Sequence, residues 1–101
     1  MSYISECIRK KVEASDNLNH DPTNLRLQSV SFSAKYAVAL ELRNVSRRSL
    51  ERAIEEQIQN PYDDVADRVL SRARAMHLRA EELAATAGVE AAAADLAFFK
   101  E

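Results

Sequence analysis

The chain has 101 residues, enough for one domain or for one small domain with an extension. Hydrophobic residues make up 47%, but aromatics only 6% and Trp is absent. Much of the apolar content is Ala, so a monomer is expected to be marginally stable and a homo-oligomer is favoured.

One Gly and two Pro are too few for an all-β fold with its many turns. The lone Cys7 cannot form an internal disulfide, which fits a reducing cytosol. No run of about 18 apolar residues is present to span a membrane. Met1-Ser2-Tyr3 lacks the basic and apolar regions of a signal peptide, so a cytoplasmic location is expected. The net charge of −2 is unevenly spread. Residues 1–54 carry nine Lys/Arg and six Asp/Glu, whereas residues 55–101 carry five and ten. A basic front and an acidic back suggest two tasks along one chain.

Taken in order, residues 3–13 are predicted to form a short amphipathic helix, with Ile4, Ile8 and Val12 on one stripe beside Cys7. Ala14–Asp21 is polar and rich in Asn and Asp, and is expected to be a linker, closing a first segment at 1–21. Residues 22–59 form a second segment with two open readings. Asn24-Leu25-Arg26-Leu27-Gln28 alternates polar and apolar, as a β-strand does, and the alternation continues to Ser33. Asp21-Pro22 is also a good helix opening. Ala34–Leu42 is helical on either reading. Ser46 is expected to cap a further helix, with Val45 and Leu50 at hydrophobic-staple spacing and Asn44 in a tight turn before it. Leu50, Ala53, Ile54 and Ile58 would be the buried face of that helix.

The third segment, 60–101, is predicted to hold a long amphipathic helix opened by Asn60-Pro61, with Asp63, Asp64 and Asp67 at its positive end. Tyr62, Ala66, Val69, Ala73, Met76, Ala80, Leu83 and Ala87 alternate spacings of four and three, which is a heptad seam. Tyr62, Val69, Ala73, Met76, Ala80 and Leu83 are therefore the expected oligomer interface. Gly88 is expected to stop this helix, and Val89–Phe99 to form a short last one.

No catalytic or metal-binding constellation stands out. Cys7, His20 and His77 are scattered, whereas a zinc site needs three or four clustered ligands. One glycine cannot build a phosphate loop. The expectation is a non-enzyme without a cofactor. Ser46-Arg47-Arg48-Ser49 is the exception to a bland surface. Two Arg at a helix N-terminus oppose the dipole, unless an anion docks on the free N–H groups.

An alternating strand (NLRLQ), a helix, a tight turn and then S-R-R-S-L opening a second helix resembles the ribbon-helix-helix family of DNA-binding proteins. The resemblance covers about residues 23–58. It implies a homodimer whose paired strands enter the major groove. Asn24, Arg26 and Gln28 would then face base edges, and Ser46, Arg47 and Arg48 would grip the phosphate backbone. Asn44 stands where the family usually has Gly.

Two functions follow. One is a small homodimeric DNA-binding protein, a repressor, antitoxin or plasmid accessory factor, with 60–101 for oligomerisation or a protein partner. The other is an all-helical interaction or assembly adaptor with no nucleic-acid role. Both are all-α apart from the one strand of the first.

Overall fold

A computed structural model describes residues 3–100. They form three α-helices: α1 (Tyr3–His20), α2 (Leu25–Gln59) and α3 (Asp64–Phe99). The chain runs up and down. α1 and α3 both pack on α2 and, among the described residues, not on each other. The result is an elongated slab of 59 × 27 × 16 Å with α2 as its central member.

α1 is longer than its apolar start suggests. Ile4, Cys7, Lys11, Ala14 and Leu18 recur at spacings of three and four, and Cys7 and Ala14 are buried. The packing stripe thus continues through the stretch expected to be a linker, because Ala14 and Leu18 carry it. Ile8 and Val12, spaced by four, drift off this stripe and stay exposed. On the solvent face, the Arg9 guanidinium donates to Glu6 Oε2 at 3.0 Å and to Glu13 Oε1 at 2.7 Å. The hydrogen bond and charge of Arg9 hold the Glu6 carboxyl below its ordinary value. Its support of α1 is therefore complete above the usual carboxylate range and fades as pH falls through the lowered value.

The strand expected at residues 24–28 is absent, and no strand occurs among the described residues. Asn24 caps α2 instead, its Oδ1 accepting from the Leu27 N–H at 3.2 Å. Leu25–Gln28 is the first helical turn. The alternation misleads because α2 packs on two neighbours and its serines are core-sized. Ser31 is the most deeply buried residue of the helix. The Ser29 hydroxyl donates to Asp95 Oδ1, tying the start of α2 to the end of α3. A serine at a helix–helix contact permits close approach much as alanine does.

The second expected break, at Asn44–Ser46, is also absent. α2 runs through it, and among the described residues no non-glycine residue has positive φ. The real turn lies at residues 60–63. Asn60 is the C-cap of α2, its N–H donating to the Glu56 carbonyl at 2.9 Å. Asp63 is the N-cap of α3, accepting from the Val65 N–H at 2.9 Å. Asp64 and Asp67 then sit at the positive end of the dipole. α3 thus opens a few residues later than predicted, and Tyr62 lies in the turn, 98% exposed.

α3 passes through Gly88 to Phe99 without stopping. Gly88 is there for space. A Cβ built on it would lie 3.2 Å from Tyr36 Cε1 and 3.3 Å from Cζ. The Tyr36 ring therefore rests against bare backbone where α2 and α3 cross. Gly88→Val is expected to displace the ring and to cost about 1–3 kcal/mol in chemical denaturation, as overpacking does.

Candidate functional site

Which face of α3 meets α2 decides what remains for function. The buried and half-buried positions are Ala66, Leu70, Ala73, His77, Ala80, Ala84, Ala87, Gly88, Ala91, Ala94 and Asp95. From Ala66 to Ala94 the main row is spaced by four and three, which is a heptad, but it is not the one expected. The alanine row of the predicted seam does face α2. Its partner row is Leu70, His77 and Ala84 rather than Val69, Met76 and Leu83. Alanine allows the two helices to lie close, and the larger residues are then turned outward.

Val69 is 51% exposed, Met76 61% and Leu83 50%. With Val65 they run along one side of a groove. Its other side and floor are Val38, Ala39, Leu42 and Val45 of α2. The groove has a volume of about 850 Å³. From Val65 to Ala87 it follows α3 for about 33 Å, at 1.5 Å per residue. α1 is half the length of α2 and reaches the groove only through Lys11. A row of aliphatic side chains along two helices is thus left without a covering layer. Of the expected interface residues, Val69, Ala73, Met76, Ala80 and Leu83 all line the groove, while Tyr62 does not.

The expected DNA-contacting residues are not brought together. Asn24 Oδ1 is used as the cap, its Nδ2 donates to Asp21 Oδ2 at 3.2 Å, and Gln28 Nε2 donates to the Pro22 carbonyl at 2.9 Å. Arg26 and Arg47 are on the same helix, 21 positions apart, which places them about 32 Å from each other along the axis. Ser46 is no cap. It sits inside α2, where nearby N–H groups are already donating to carbonyls, so the free donors of a phosphate-binding helix start do not exist there. Arg47 is exposed, and Arg48 lies 3.6 Å from Glu41 on the surface.

One polar cluster escaped the sequence reading. Ser46 Oγ lies 2.9 Å from His77 Nδ1, and His77 Nε2 lies 3.1 Å from Glu81 Oε1. The Ser46 hydroxyl also lies 2.9 Å from the Arg43 carbonyl oxygen, a bond along its own helix. Ser, His and Glu are the residue types of a hydrolytic relay. Such a relay also needs N–H donors aimed at a developing oxyanion, and those beside Ser46 are held in the helix ladder. The trio instead clamps α2 to α3 at the edge of the groove. His77 occupies a seam position at heptad spacing from Leu70 and Ala84, which is the signal that could have found it.

Neither a protein-family model, nor a curated protein, nor a solved structure matches the chain, so the fold and its groove must carry the functional reading. No helix among the described residues is long and apolar enough to cross a membrane.

Proposed function

We propose that this protein is a helical interaction adaptor that receives an amphipathic helix of another protein in the α2–α3 groove. The observation that carries the proposal is the uncovered aliphatic row of Val65, Val69, Met76 and Leu83 facing Leu42 and Val45.

The surface area supports it. The chain exposes 7351 Å². A globular monomer of 11.3 kDa is expected to expose roughly 5,700 Å². The surplus of about 1,600 Å² exceeds the roughly 800 Å² that one partner contributes to an ordinary specific interface. Domains are normally built from two packed layers, and this slab supplies one. A helix laid over α2, beside α3 and in line with α1, would supply part of the second.

The binding mode is that of a helix in a groove, with anchors at intervals of three and four residues. Apolar burial supplies the affinity. A synthetic helix of about 21 residues, matching the groove length, tests this. It carries Leu at heptad positions and uncharged Gln elsewhere. Fluorescence anisotropy is expected to show saturable one-to-one binding to the whole chain. Absence of saturable binding would reject the proposal.

A further inference from the structure

The groove is not merely apolar. Lys11, Lys35, Arg68, Arg72 and Arg79 line it, and no carboxylate does. Among the described residues none of these five cations forms an ion pair. Lys35 lies over the Phe32 ring, 5.0 Å from its centre, and Arg68 Nε donates to the Asp64 carbonyl at 3.4 Å. Neither arrangement neutralises the charge. A chain of net charge −2 has thus gathered unpaired cations around this apolar groove.

We infer that the occupant is an acidic amphipathic helix from a different protein, its carboxylates flanking an apolar stripe. The inference rests on the docking function proposed above and adds the identity of the partner surface. Complementary charge suits a docked helix, whereas like charges brought together oppose binding. That condition also weighs against a second copy of this chain. In a two-fold dimer the same patch meets itself, and this patch offers Arg68, Arg72 and Arg79 no carboxylate of its own.

Three synthetic helices share the same Leu stripe and differ only in their flanking residues, which are Glu, Gln or Lys. Binding to the full chain is measured by anisotropy at about 50 mM and about 500 mM salt. The Glu helix is expected to bind at least about tenfold more tightly than the Gln helix at low salt, and the Lys helix least. The differences are expected to shrink at high salt, where exposed charges are screened. Arg72→Glu with Arg79→Glu leaves three cations and two carboxylates in the lining, and should remove most of the Glu helix's advantage over the Lys helix at low salt.

Equal binding of the Glu and Gln helices would overturn the charge inference and leave the docking function standing. Binding of none of the three would overturn both. Sedimentation of the chain alone as a dimer, reverting to monomer on Val69→Asp, would overturn the inference in favour of a second copy. Displacement of the Glu helix by mixed phosphatidylcholine and phosphatidylglycerol vesicles would overturn it in favour of a lipid surface.

Discussion

Leu70→Ala is expected to destabilise the protein by about 2–4 kcal/mol, whereas Val69→Ala beside it should change stability by less than about 1 kcal/mol. The two residues are neighbours in sequence and similar in character. Leu70 is 8% exposed and Val69 51%. Leu70 is the only large aliphatic residue among the buried positions of α3, the others being alanines. Truncating it removes several methylenes from the α2–α3 contact and leaves a cavity between closely spaced helices. Val69 already stands in water, so its truncation exposes little more. Urea denaturation followed by far-UV circular dichroism compares them. Equal losses would mean that the seam runs through Val69 and that the groove face is mis-assigned.

The second large effect is on binding. Val69→Asp combined with Met76→Asp should weaken the uncharged helix by about a hundredfold or more. Each substitution removes an apolar anchor worth about 1.5–3 kcal/mol when fully buried. Each also places a carboxylate where the docked helix would desolvate it. The fold should survive. Both positions are on the outward side of α3, and Asp costs about 0.7 kcal/mol in a helix interior. A cooperative unfolding transition close to that of the unaltered chain, together with lost binding, is the expected pair of results. Retained binding would show that these side chains are not the docking surface.

The helical class and the place of the α2–α3 turn were legible in the sequence, whereas the strand, the linker, the break at 44–46 and the stop at Gly88 were expected and are absent. Asn60 and Pro61 marked the α2–α3 turn, and the heptad spacing of Ala66, Ala73, Ala80 and Ala87 marked the row that faces α2. What misled was the assumption that larger apolar residues go inside first. In a close-packed alanine contact the small residues fill the seam, and the larger ones must go elsewhere. The same physics defeated the strand at residues 24–28. The alternation that suggested it runs on through Ser29, Ser31 and Ser33, which look like solvent-facing residues of a strand, yet Ser31 is buried where helices meet. Ser46 carried a convincing cap signature, but its hydroxyl bonds within α2 and reaches His77 across the helix pair. Caps are local patterns, and a helix packed on two sides can run through one. Gly88 failed as a stop signal for a similar reason, since the Tyr36 ring needs its missing side chain.

The candidate site was half legible. Val69, Met76 and Leu83 were expected to form an interface, and they do line the groove. Its other wall, from Val38 to Val45, was expected to be helical as far as Leu42 and to break at Asn44, and nothing in the sequence paired it with α3. The cationic lining arises only when Lys11, Lys35 and the α3 arginines are brought side by side by the three-helix topology. Their separation of up to 68 positions in the sequence hides it.

The most direct test of helix docking is methyl NMR of the full chain, labelled at Val, Leu, Met and Ala and titrated with the uncharged helix. Saturable shifts should be concentrated at Leu42, Val45, Val69, Met76 and Leu83, with Leu70 and Ala84 little changed. Shifts centred on Leu70 and Ala84, or on the opposite end of the molecule at Val89 and Leu96, would contradict the account.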